Sequence, residues 1–288
     1  MKRWNGTTFG NGLMHRWLIA LLRWIPVRVI YAFTSIFIVP PCLFISGRLT
    51  YRYFRHQHGY TPLRAAWATY RNHCLFSQVV IDRFAMFAGQ HFHVDMEGYE
   101  HFRWLARQPE GFIQLSSHVG NYEIAGYTLV AEDKPFNALV FMGEKESVMN
   151  GRNQMFTDTH IKMIPVSSDL NHIFLINQAL AKGEIVSMPA DRNLGSEKTI
   201  ILPFLHGKAA FPQGPFRVAT MRQLNVLTVN VMKTAPKRYK IHITRLSYDH
   251  SLPRDKQIEQ LAEAYVNELE RMMKMYPYQW YNYFDFWQ

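Results

Sequence analysis

The stretch Phe112-Ile113-Gln114-Leu115-Ser116-Ser117-His118-Val119-Gly120-Asn121-Tyr122-Glu123 runs from an apolar segment into a histidine, a glycine and a carboxylate. A short apolar run ending in polar and turn-forming residues predicts a buried strand whose C-terminal end carries chemistry, which is where open α/β sheets place their sites. Asn121 is a favoured N-cap and Gly120 permits a sharp turn, so a helix is expected to begin after Asn121 with Glu123 in its first turn. On one regular helix, five residues set two side chains about 140° apart, so His118 and Glu123 can meet only if His118 stands before that helix. A first-turn carboxylate is favoured by the helix dipole. The expectation is that Glu123 accepts the Nδ1 proton of His118 and leaves Nε2 as a general base. Ser116 and Ser117 are the competing nucleophiles, but no Gly-x-Ser-x-Gly elbow surrounds them.

Downstream, strand-like and helix-like patterns alternate. Strands are expected at Phe112–Ser116, Asn137–Met142, Met163–Val166, Ile185–Pro189, Thr199–Leu205, Val226–Met232 and Tyr239–Leu246. A helix is expected from about Asp169 to Ala181, with Ser167 or Ser168 as N-cap and Gly183 just past its end. The strand that follows it delivers Asp191-Arg192 to its C-terminal end. A last long helix, about Pro253 to Met275, places Ile258, Leu261, Ala262, Tyr265, Val266, Leu269 and Met272 on one stripe.

Upstream, Val29 to Ser46 contains no charged residue in eighteen positions. That length is near the minimum for a bilayer span, while Pro40-Pro41 argues for a kinked span or a re-entrant anchor. A buried core helix is the competing reading. Arginines flank the run on both sides, Arg16, Arg23 and Arg28 before it and Arg48, Arg52 and Arg55 after it. The positive-inside rule therefore sets no direction, and a hairpin or monotopic anchor with both ends on the cytoplasmic side fits the symmetry. Residues 1–47 are expected to form the anchor and 48–288 one α/β domain, with a helical region over about 50–90.

Composition narrows the partners. The 32 Lys and Arg against 22 Asp and Glu give a formal charge of +10, which suits phospholipid headgroups, a phosphorylated lipid or an acidic carrier protein. Nucleic acid is disfavoured, since no run of five or six basic residues and no nucleic-acid motif occurs. Cys42 and Cys74 form no redox or metal spacing, as in a reducing compartment. His56/His58 and His91/His93 could pair on a metal, but no carboxylate or cysteine completes either set, so no metal or cofactor is expected. Gly195-Ser196-Glu197-Lys198-Thr199 lacks the first glycine of a phosphate loop and reads as a polar turn.

Several segments, in this order, resemble the bacterial lipid A biosynthesis (late) acyltransferases of the H-x4-D/E acyltransferase superfamily. They are His118-Val119-Gly120-Asn121-Tyr122-Glu123, then Gly183-Glu184-Ile185-Val186 with Asp191-Arg192, then Leu202 to Phe216, and the tail Tyr276-Pro277-Tyr278-Gln279-Trp280-Tyr281-Asn282. The resemblance covers nearly the whole chain. It implies a mixed central sheet with flanking helices, like that of glycerolipid acyltransferases, at the inner membrane. It also implies transfer of a fatty acyl group from acyl carrier protein, or less often coenzyme A, to a hydroxyl of a lipid A precursor or related glycolipid. A lysophospholipid, aminolipid or pigment-glycolipid acceptor, or a non-catalytic lipid-binding protein of the same fold, are the alternatives. In this reading His118 and Glu123 are catalytic, and backbone amides from Phe204 to Ala209, near Gly207, hold the oxyanion. Arg152 and Arg192 contact phosphate or carrier, Asp191 orients Arg192 or a nearby turn, and Asn121 belongs to the substrate contacts.

Overall fold

The computed structural model describes residues 12–129, 134–141, 161–166, 171–192 and 198–287. Nine strands are described: β1 (His93–Glu97), β2 (Phe112–Ser116), β3 (Phe136–Phe141), β4 (Ile161–Val166), β5 (Ile185–Pro189), β6 (Thr199–Phe204), β7 (Gly207–Pro212), β8 (Val226–Ala235) and β9 (Arg238–Leu246). Seven of them form one sheet in the order β1-β9-β8-β2-β5-β3-β4, and β6 and β7 form a separate hairpin. Every pairing in the large sheet is parallel except β8 with β9. The fold is therefore the expected mixed α/β sheet with flanking helices.

The central strands are mainly apolar and buried on both faces because both faces of the sheet are covered, with Gln114, Thr228 and Asn230 as polar residues buried within them. Side chains alternate between two cores. Ile113, Leu115, Val186 and Met188 face a core shared with Leu261, Tyr265 and Leu269 of the helix Arg254–Met275. Phe112, Ile185, Leu227 and Val229 face another, closed by Phe102 and Leu105 of the helix Tyr99–Ala106 and by Ile124 of the helix Tyr122–Thr128.

Two strands and two helices escape the sequence reading. β1 is a half-exposed edge whose burial alternates along its polar sequence, and β7 is the return arm of the hairpin. The helices Tyr99–Ala106 and Gly214–Met221 are two turns each, too short for a periodic pattern to stand out. The helix near Asn171–Ala181 is present, while its expected N-cap at Ser167 or Ser168 lies outside the described residues, as do Arg152, Met142 and Gly195 to Glu197.

Near the N-terminus, the helix Gly12–Trp24 precedes one apolar helix from Val27 to Gln57, which runs well past residue 47. It passes through Pro40-Pro41 without breaking. A π-helical turn at Thr34–Ile38 sits directly before the prolines. Each proline removes an N–H and crowds the carbonyl four residues back, and a widened turn relieves both. One side of this helix packs on the 26-residue helix Pro62–Phe87, where Ser46 Oγ meets His73 Nε2 at 2.9 Å and Tyr70 Oη donates to Ser35 O at 3.2 Å. The other side is bare, with Phe44 94% and Ile45 75% exposed.

Candidate active site

The site begins with strand register. β2 and β5 are parallel neighbours in which Ser116 lies opposite Pro189. Two residues beyond each strand end, His118 and Asp191 therefore emerge side by side. The Nδ1 of His118 lies 2.8 Å from Asp191 Oδ1, and the backbone N–H of His118 donates to Asp191 Oδ2 at 2.9 Å. One carboxylate thus fixes both the ring and the chain that carries it. Asp191 is fully buried, and the His118 side chain is 19% exposed.

Burial by itself would raise the Asp191 carboxyl. The His118 imidazole, the His118 amide and the charge of Arg192 outweigh it and hold the group below its ordinary value. An ionised Asp191 accepting at Nδ1 fixes the tautomer that carries the proton there, leaving Nε2 as the basic nitrogen. Among the described residues Nε2 makes no hydrogen bond, and the neighbouring ring is Tyr122, edge-on at 5.6 Å.

This arrangement corrects the expected pairing of His118 with Glu123. The carboxylate of Glu123 is ion-paired instead to Arg83 Nε at 2.6 Å, with both side chains largely buried. Helix Tyr122–Thr128 does begin after Asn121, and Glu123 does stand in its first turn. Asn121 does not cap that helix, however. Its Nδ2 donates to Tyr239 Oη at 3.3 Å, and the residue is 3% exposed, so it is a buried brace of the loop. Ser117 is also committed, donating its hydroxyl to Asn230 Oδ1 at 3.0 Å.

The loop that carries His118 is held from two sides. Gly120 adopts φ +65°, and a Cβ there would lie 1.9 Å from the Val231 carbonyl oxygen, so only glycine lets the loop rest on β8. The amide of Asn121 donates to Val231 O at 2.8 Å. On the other side the C-terminal segment lies along the loop, with Gly120 N donating to Gln279 O at 2.8 Å and Val119 bridged antiparallel to Trp280. Gln279 is tied in turn to both backbone groups of Lys233, and Asn72 donates to the carbonyls of Tyr278 and Trp280. The tail motif is therefore structural support for the loop that carries His118. Its aromatic residues Trp280 and Phe286 are buried against Phe204, Phe211 and Tyr53.

The remaining expected contacts resolve differently. Arg192 donates from Nε to Asn282 Oδ1 at 2.8 Å and from Nη2 to Tyr281 O at 3.1 Å, which fastens the same tail. Asp191 serves His118 directly and is buried beneath it. Phe204 is fully buried. The amide of Leu205 is taken by Glu270 at 2.9 Å, and a Cβ on Gly207 would lie 2.6 Å from Trp287, so that glycine admits a tryptophan ring. Within the segment Phe204–Ala209 the Leu205 amide and the space over Gly207 are therefore taken by Glu270 and Trp287. Arg83 was missed because it lies forty residues before Glu123 in a helical stretch with no motif around it. Asp191 was legible as a residue but not in its role, which depends on strand order.

The bacterial lipid A biosynthesis acyltransferase family matches residues 86–287. Comparison with curated proteins gives no match. Among solved structures, the 1-acyl-sn-glycerophosphate (LPA) acyltransferase PlsC from Thermotoga maritima is similar at 14% identity, with 93% of this chain and 100% of that one covered and a TM-score of 0.42. The matched span contains His118, Glu123, Asp191, the hairpin and the tail, and the chain belongs to the bacterial lipid A biosynthesis acyltransferase family.

Proposed function

We propose that this protein is a membrane-associated O-acyltransferase that moves a fatty acyl chain from a thioester donor, acyl carrier protein, to a hydroxyl of a lipid A precursor or related glycolipid. The observation that carries the reading is His118, with Nδ1 fixed by buried Asp191 and Nε2 directed at no protein group among the described residues, inside the segment that matches the family. Nε2 removes the proton of the acceptor hydroxyl as its oxygen attacks the thioester carbonyl. Asp191 stabilises the resulting imidazolium at 2.8 Å in a dry setting. When the tetrahedral intermediate collapses, the C–S bond breaks and the imidazolium returns its proton to the leaving thiolate. The acceptor hydroxyl is itself the nucleophile, so no covalent acyl-enzyme forms.

Membrane association is supported by the bare apolar side of the helix Val27–Gln57, extended by Trp17 and Trp24 before it and by Leu63 and Trp67 after it. Tyr31 near its start and Phe54 near its end are both buried against the α/β domain, with about 34 Å of helix between them at 1.5 Å per residue. A helix fastened to one domain at both ends favours lying in the membrane interface over crossing it, which agrees with arginines on both flanks. The positive surface charge suits anionic headgroups and an acidic carrier.

The deciding experiment is acyl transfer from labelled acyl carrier protein and from labelled acyl coenzyme A by membranes holding the protein. A lipid A precursor and a lysophospholipid are compared as acceptors, for wild type and His118→Ala. Transfer to the lipid A precursor, lost in His118→Ala, is expected. Transfer to the lysophospholipid alone would replace the acceptor, and undiminished transfer by the variant would overturn the mechanism.

A further inference from the structure

The apolar N-terminal helix reaches the catalytic loop through a chain of buried polar groups. Asp82, on the helix Pro62–Phe87, is fully buried and accepts hydrogen bonds from Tyr31 Oη, Lys233 Nζ and Tyr239 Oη. Tyr31 belongs to the apolar helix, and Lys233 and Tyr239 to β8 and β9. Tyr239 Oη also receives the Asn121 side chain at 3.3 Å, and Lys233 Nζ lies 3.2 Å from Tyr31 Oη. Next to Asp82 in sequence, Arg83 grips Glu123. Two consecutive residues of one helix thus reach the loop beyond His118, Asp82 through Tyr239 to Asn121 and Arg83 directly to Glu123.

A buried ion pair with two tyrosine partners is a poor way to gain stability, because removing its charges from water costs several kcal/mol. Burial pushes the Asp82 carboxyl up and the Lys233 amine down, the mark of that cost. Apolar side chains of equal size would pack the site as well. What such groups supply is a single geometry, since Asp82, Lys233 and the two tyrosines are bonded to one another and none can move without breaking bonds to the rest.

We propose that Asp82 is a positioning residue for catalysis, and that through it the seating of Tyr31, on the membrane-docking helix, sets the geometry of the loop His118–Glu123. The proposal rests on the acyl-transfer reading for its kinetic consequence, though not for its structural one. A protein whose apolar helix is unseated, as before it meets a membrane, would then hold a slack loop and turn over slowly.

The test compares Tyr31→Phe, which removes one hydroxyl and keeps the ring, with Tyr70→Phe. The latter removes a bond between the same two helices that lies outside the network. Each is measured by acyl-transfer kinetics and by amide hydrogen exchange across residues 118–124. Tyr31→Phe is expected to lower kcat about tenfold at unchanged KM and to speed exchange at Gly120 and Asn121, with Tyr70→Phe matching wild type in both. Wild-type kcat and exchange in Tyr31→Phe, or equal effects from the two variants, would overturn the proposal. If the wild-type protein acylates none of the acceptors, the functional reading fails, while the exchange comparison still decides whether Tyr31 governs the loop.

Discussion

Two acidic side chains stand near His118, and they differ in how they come to be there. Glu123 is five residues away along the chain and points to Arg83, whereas Asp191 is 73 residues away and bonds both the ring and the backbone of His118. Proximity along a chain that turns from strand to helix sends side chains in different directions. Proximity across a parallel sheet sends neighbouring strand ends to the same place. The acid that orients the imidazole is the one that register delivers.

The sharpest way to break this contrast is to remove each acid's charge while keeping its shape. Asp191→Asn is expected to lower kcat by about 10²- to 10⁴-fold, since the amide can hold the ring in the wrong tautomer. Glu123→Gln should cost closer to tenfold, acting through the Arg83 contact and the loop. Steady-state kinetics of the two variants decides it, and the reverse order would restore Glu123 as the partner of His118.

A third variant tests the loop that carries His118. Gly120→Ala meets the Val231 carbonyl and demands a left-handed alanine, so the native state should lose roughly 2–4 kcal/mol, seen as a lower thermal midpoint together with lost transfer. The smallest effect is on acid stability. Asp191 titrates in the fold below its ordinary 3.8, so its contribution is complete above that pH and is lost as pH falls through the lower folded value. Denaturant midpoints followed downward from about pH 5 should fall more steeply for wild type than for Asp191→Asn.

Much of the fold can be read from the chain because its central strands are buried on both faces, and mainly apolar, uncharged runs such as Ile185–Pro189 and Val226–Met232 announce themselves. β1 does not, since an edge strand with the sequence His93-Val94-Asp95-Met96-Glu97 owes its conformation to pairing with β9 and not to its own pattern. At the site, His118 and the turn at Gly120 are written locally. The partner of His118 is not, because it requires knowing that β2 lies beside β5. Likewise the hairpin glycine Gly207 signals close approach correctly, but only the packing reveals that Trp287 is what approaches.

The support given to the loop by Gln279 and Trp280 has a consequence for the order of synthesis. The strands and the histidine emerge from the ribosome well before this segment, so a nascent chain can hold His118 through Asp191 and β8 but lacks the support of the tail. The last braces of the His118 loop can therefore form only after residues 277–282 have cleared the exit tunnel.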